Sequence, residues 1–124
     1  MGSLVFCEDD PMIRRLIEAA LGNTRHHIRV APDGKACLAL IQQERPDVVF
    51  TDVSMPMMDG LQLADTIRAM PDLADVPIVV MTARVQREQM DEYVRHGASD
   101  VLAKPFTMAE LRQRVEAFAG GTKE

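Results

Sequence analysis

Apolar residues along this chain fall into two alternating patterns. Short continuous runs come first: Leu4-Val5-Phe6-Cys7, Val48-Val49-Phe50, Ile78-Val79-Val80-Met81 and Val101-Leu102-Ala103. Runs of that length, bounded by acids, prolines and glycines, predict strands, the first of them buried on both faces of a sheet. His27-Ile28-Arg29-Val30-Ala31 instead alternates, which predicts a wetter strand at a sheet edge. Between the runs, apolar residues recur every three or four positions, the spacing of one helix face. Ile13, Leu16, Ile17, Ala20 and Leu21 mark a first helix that Pro11 opens, Asp10 caps and Gly22-Asn23 stops. A second helix runs from about Lys35 to Glu44, with Cys37, Leu40 and Ile41 inward and Pro46 preventing its continuation. Leu63, Ala64 and Ile67, extended to Met70, mark a third that Pro71 ends. A fourth spans about Gln86 to His96, with Met90, Tyr93 and Val94 inward and Gly97 closing it. Thr107-x-x-Glu110 is a capping box for a last helix carried by Leu111, Val115 and Phe118.

Strand and helix therefore alternate five times. Short strands joined by helical crossovers make a parallel sheet with helices on both faces, a three-layer α/β fold. One domain over residues 1–119 is expected, with 120–124 a tail or the start of a linker; no second domain or internal repeat is visible.

Composition sharpens this only in places. The 124 residues are 47% hydrophobic and 27% charged, enough for a core and too apolar for disorder. With no Trp, one Tyr and four Phe, aliphatic side chains and nine Met must fill that core. The net charge of −5 argues against a nucleic-acid partner, which favours a basic face. No run is long enough to span a bilayer and no signal pattern opens the chain, so a cytoplasmic protein with no membrane partner is expected. Cys7 and Cys37 lie in apolar surroundings without CxxC spacing and are expected as buried, reduced thiols.

Candidate chemistry gathers at the carboxyl ends of the strands, where open parallel sheets bind ligands. The first strand ends in Glu8-Asp9, the third in Asp52, the fourth in Thr82 and the fifth in Lys104. By itself Asp52 is explained equally well as a turn cap, but three carboxylates, a hydroxyl and an amine at one edge are a site. Crowded carboxylates repel each other, and a divalent cation relieves this; oxygen donors suit Mg²⁺. A carboxylate beside such a cation can attack phosphorus, with Lys104 and Thr82 holding the phosphoryl oxygens. The third acid of the first run, Asp10, reads as the helix cap rather than a ligand.

In Glu8-Asp9, Asp52, Met55-Pro56-x-x-Asp59-Gly60, Thr82-Ala83, Gly97-Ala98 and Lys104-Pro105-Phe106, the chain from Leu4 to about Phe118 resembles the receiver domain of two-component response regulators. The resemblance implies a flavodoxin-like, doubly wound (βα)5 fold with strand order 2-1-3-4-5. It implies that Asp52 accepts a phosphoryl group from a sensor histidine kinase or a histidine phosphotransfer protein. It further implies that Asp9, Asp52 and the backbone carbonyl of Ser54 bind Mg²⁺, with Glu8 acting through water. Thr82 and Lys104 would bind the phosphoryl oxygens, and the domain would promote loss of its own phosphoryl group. Such a protein is a signalling phosphoacceptor rather than an enzyme with an external substrate. Its output face, for an effector the sequence does not identify, would lie around the fourth helix, fifth strand and fifth helix. The chain is then either a stand-alone receiver or a receiver from a longer protein.

Two departures and two competing classes bear on this. The family usually carries an aromatic three residues before the lysine; here that residue is Val101, which is expected simply to pack in its strand. Any relay then runs differently, through the loop after Thr82 and the fourth helix. Ser54 and Arg84, each two residues beyond a site residue, flank the expected phosphoryl position, so the phosphoryl lifetime is expected to respond to Arg84→Ala. Met55 is expected in the core, with Met57 and Met58 outside. His26, His27 and His96 lack metal-ligand spacing and are expected at the surface. A phosphatase of the haloacid-dehalogenase class would need a second aspartate where Ser54 stands, and the glycine-rich loop of a P-loop NTPase is missing. A degenerate receiver that only binds partners is opposed by the intact Glu8, Asp9, Asp52, Thr82 and Lys104.

Overall fold

The computed structural model describes residues 2–120. The elements alternate as β1 (Ser3–Cys7), α1 (Pro11–Leu21), β2 (His27–Ala31), α2 (Gly34–Gln43), β3 (Val48–Asp52), α3 (Gly60–Ala69), β4 (Ile78–Thr82), α4 (Arg87–Arg95), β5 (Asp100–Ala103) and α5 (Met108–Val115). A π-helical turn, Glu116–Gly120, follows α5. Residues 121–124 of the expected tail, and Met1, lie outside the described residues. No helix among the described residues is long and apolar enough to cross a membrane.

The five strands form one parallel sheet in the order β2-β1-β3-β4-β5, the order expected. The alternating strand is at one edge, the apolar runs of β1, β3 and β4 are central, and the short run of β5 forms the other edge, where only Leu102 is buried. Because successive side chains point to opposite faces, each central strand feeds two cores. Val5, Val49, Ile78 and Val80 pack with Cys37 and Ile41 of α2, Leu63 and Ile67 of α3, and Tyr93 of α4. Leu4, Phe6, Phe50, Val79 and Met81 pack on the other face with Ile17 of α1 and Leu111 and Val115 of α5. There the Phe6 and Phe50 rings stack with centroids 4.6 Å apart. Phe118, in the closing turn, packs half-buried against this second core.

Helix starts follow the local chemistry of the sequence. The Asp10 side chain accepts from the Met12 amide, with Pro11 in the first turn. Asp33 accepts from Ala36. Asp59–Gln62 and Thr107–Glu110 each form a reciprocal capping box. Gly97, which closes the segment after α4, has φ +99°, a left-handed conformation that side chains resist.

Three expectations fail. Cys7 and Cys37 are joined in a disulfide rather than reduced. Their apolar setting is as expected, but β1 and α2 pack directly in the first core and bring the two Cα atoms to 5.8 Å, within bonding range. Val94 faces outward at 66% exposure. The inward stripe of α4 is Met90 and Tyr93, and the next residue is rotated about 100° away. His26 is not a surface residue: its side chain is only 6% exposed. Its ring accepts from the Gly2 amide at 2.7 Å and meets Glu116 at 2.9 Å. His27 is exposed, and His96 pairs with Asp65 at 2.8 Å.

Candidate functional site

The sheet brings the ends of β1, β3, β4 and β5 side by side, so the residues just past them converge. Glu8 leaves β1 into the interior and is fully buried, while Asp9 is exposed and Asp52 half-buried. One carboxylate oxygen from each of Glu8, Asp9 and Asp52 lies within 4.8 Å of the others. Three all-oxygen donors at that spacing fit a hard divalent cation. Ser54, two residues beyond Asp52, is exposed. Asp10 stands apart as the α1 cap.

Lys104, delivered by β5, reaches across this cluster. Its Nζ lies 2.9 Å from Glu8 Oε1 and 3.1 Å from Asp52 Oδ2, with 16% of the side chain exposed. The second Glu8 oxygen accepts from the Asp10 amide at 3.2 Å. Both Glu8 oxygens are thus engaged within the protein. Burial pushes the Glu8 carboxyl up to about 7; the hydrogen bond from Lys104 opposes this, and the Asp52 charge adds to it. Burial also pulls on the Lys104 ammonium, but the hydrogen bonds and charges of Glu8 and then Asp52 outweigh it, and its pKa is raised. Lys104 therefore stays charged at neutral pH.

Thr82 closes the other side. Asp52, Ser54, Thr82, Arg84 and Lys104 line one cleft of about 280 Å3, with Tyr93 of α4 also in its wall. Thr82 is 5% exposed, and its hydroxyl accepts from the Arg84 amide at 3.0 Å. The loop after Asp52 is pinned by a close approach: the Gly60 amide donates to the Val53 carbonyl at 2.8 Å. A side chain at Gly60 would collide with the Asp52 carbonyl. In that loop Met55 is buried, Met57 is 71% exposed and Met58 is half-buried, close to the expected arrangement. Met57 also holds a left-handed φ of 70°, and the Lys104–Pro105 peptide is cis.

All five strand-end residues singled out in the sequence are brought together, and Val101 packs half-buried against the first core as expected. Sequence reasoning missed the Tyr93 hydroxyl. It donates to the Arg84 carbonyl at 2.8 Å and lies 3.3 Å from Thr82 Oγ1. A signal existed: Tyr93 is the only Tyr, placed on an inward helix face, and a buried phenol requires a polar partner.

Residues 4–116 match the family model described as the response regulator receiver domain. Response regulator MprA of Mycolicibacterium vanbaalenii is 36% identical over 114 residues, covering 92% of this chain and 48% of that protein. The chain spans about half the length of the curated relatives it matches. Among solved structures, chemotaxis protein CheY4 of Vibrio cholerae superposes with a TM-score of 0.89 at 28% identity, covering 95% of this chain and 98% of that one. The receiver domain of sensor histidine kinase PA1611 from Pseudomonas aeruginosa PAO1, solved with a magnesium ion coordinated in its active-site cleft, has a TM-score of 0.86 at 28% identity. That match covers 97% of this chain and 98% of the other.

Proposed function

The chain belongs to the response regulator receiver family, whose business is phosphorelay signalling, and from that premise we propose that Asp52 is its phosphoacceptor. The observation that carries this reading is Lys104 Nζ standing between Glu8 Oε1 and Asp52 Oδ2, beside a three-carboxylate cluster. A phosphohistidine of a sensor kinase or a histidine phosphotransfer protein presents its phosphorus at the mouth of the cleft. An Asp52 carboxylate oxygen attacks it; the P–N bond breaks, the imidazole departs, and an acyl phosphate remains on Asp52. Lys104 moves its charge onto a phosphoryl oxygen and Thr82 donates to another. Asp9 and Asp52, with the Ser54 carbonyl, would hold Mg²⁺, and Glu8 would act through water. The cation would supply charge neutralisation as the phosphoryl group approaches three carboxylates. Water entering past Ser54 and Arg84 later hydrolyses the acyl phosphate.

The protein is in this reading a switch and not an enzyme acting on a separate substrate. The added charge on Asp52 recruits Lys104 and Thr82, and a face around α4, β5 and α5 presents the change to a downstream effector. The acidic balance of the chain speaks against direct nucleic-acid contact, and a cytoplasmic site away from membranes fits a phosphohistidine donor.

Incubation with Mg²⁺ and a small acyl phosphate, followed by intact-mass measurement, tests this. The wild type gains one phosphoryl mass only with Mg²⁺, and Asp52→Asn gains none. An adduct that survives Asp52→Asn contradicts the assignment.

A further inference from the structure

The Tyr93 hydroxyl is not absorbed by the chemistry above, and its surroundings are specific. The ring is buried, 2% exposed, in the core between α4 and the sheet. Its oxygen touches two groups: the Arg84 carbonyl at 2.8 Å and Thr82 Oγ1 at 3.3 Å. Proton counting fixes the direction of both contacts. A phenol has one proton, and the shorter contact, to a carbonyl that can only accept, takes it. Thr82 Oγ1 already accepts from the Arg84 amide at 3.0 Å. With the phenol proton given to the carbonyl, the remaining contact between the two hydroxyls takes the single Thr82 proton, directed at the Tyr93 oxygen.

This closes a small ring of hydrogen bonds: Thr82 to Tyr93, Tyr93 to the Arg84 carbonyl, the Arg84 amide to Thr82. The ring ties β4 to α4 across the wall of the cleft that holds Asp52. Val101, packed against the same core as Tyr93, has no hydroxyl with which to make such a link. The outer side of α4 is exposed and charged at Arg87, Glu88, Asp91 and Arg95.

We infer that Tyr93 is the positioning residue through which the state of Asp52 reaches α4, an inference that rests on Asp52 being the phosphoacceptor. Without the phosphoryl group, Tyr93 holds the Thr82 proton and keeps that hydroxyl turned from the cleft. A phosphoryl oxygen on Asp52 is the stronger acceptor. The Thr82 proton turns to it, and no covalent bond changes in that step. Tyr93 loses its donor, and the loop from Ala83 to Gln86 and the first turn of α4 are released from β4.

The chain offers a direct readout, because Tyr93 is its one tyrosine. Tyrosine labelled with ¹³C at Cζ gives a single resonance that reports the phenol's hydrogen bonding. The resonance is expected to move when the protein is phosphorylated with Mg²⁺ and a small acyl phosphate, the adduct being confirmed by mass in the same sample. Unphosphorylated Thr82→Val, which keeps the shape and lacks the hydroxyl, is expected to show the resonance already displaced from its wild-type position. Tyr93→Phe, checked for folding by its melting transition, is expected to take up the phosphoryl group about two- to tenfold faster, the worth of one released hydrogen bond. A stationary resonance in protein that carries the adduct overturns the inference alone. So does a Thr82→Val resonance at the wild-type position, or an unchanged uptake rate in Tyr93→Phe. A wild type that takes up no phosphoryl group overturns the phosphoacceptor reading, and this inference with it.

Discussion

At the scale of single residues the site is an electrostatic compromise centred on Glu8. A fully buried carboxyl is held next to Asp52 and balanced by one ammonium, Lys104. The consequence is a pH dependence with a defined sign. In the unfolded chain Glu8 ionises near its usual 4.5, whereas in the cation-free folded protein its carboxyl holds its proton to about 7. Its contribution to stability is complete below pH 4.5, falls between pH 4.5 and about 7 because the folded state binds the extra proton, and is level above that. At about 1.4 kcal/mol per pH unit, the fall is as much as about 3 kcal/mol. Glu8→Gln removes that slope. Denaturant unfolding in chelator should therefore show the variant gaining on the wild type as pH rises through this window; parallel pH profiles would contradict the buried-carboxyl account. Arg84 gives a second expectation. Its exposed side chain lines the same cleft as Asp52, so, with Asp52 as the proposed phosphoacceptor, Arg84→Ala should admit water more readily and shorten the lifetime of the adduct severalfold. A dephosphorylation rate equal to wild type leaves Arg84 as a solvated loop residue. The charged groups were legible in the sequence because they stand at strand ends. The Tyr93–Thr82 contact was not, because it depends on how α4 is rotated over the sheet.

At the scale of elements, strand ends aim the groups and helix caps hold the loops that follow. Asp59 and Gly60 act together: the first caps α3 through a reciprocal box with Gln62, and the second lets α3 start against the Asp52 carbonyl. Asp59→Ala loses one side of the box and should cost about 1 kcal/mol. Gly60→Ala forces backbone apart beside Asp52. It should destabilise more and should also reduce phosphoryl uptake, which Asp59→Ala should do only weakly. Thermal melts paired with adduct mass separate the two, and equal effects of both substitutions would contradict the close-approach role. The caps at Asp10-Pro11 and Thr107-x-x-Glu110 were readable in advance, since they act locally. The Cys7–Cys37 bond was not. Its partners are separated by 30 positions and meet only because α2 packs on β1. The same holds for His26, whose burial depends on Gly2 and Glu116 from the two ends of the described chain.

At the scale of the whole molecule, patterning marks part of the sheet order: β1, β3 and β4 are apolar on both faces and central, β2 alternates at one edge, and the other edge is the short apolar β5, whose place was expected from the resemblance. The order β2-β1-β3-β4-β5 then places β1 and β3 side by side at its centre, with β4 and β5 following. It is this adjacency that turns four separate strand ends into one site. Asp52, placed at the middle of that edge between the acids of β1 and the hydroxyl of β4, is the only carboxylate in the cluster that also faces Lys104 and lines the cleft with Thr82. The central claim is therefore about one residue and one bond. Borohydride reduces an aspartyl phosphate to homoserine and leaves a free aspartate untouched. Protein phosphorylated with Mg²⁺ and a small acyl phosphate, then reduced and mapped by peptide mass spectrometry, should carry homoserine at position 52 and nowhere else. Homoserine at Asp9 or Glu8 reduced in its place, or an unmodified Asp52 in protein whose intact mass shows the adduct, would contradict the account.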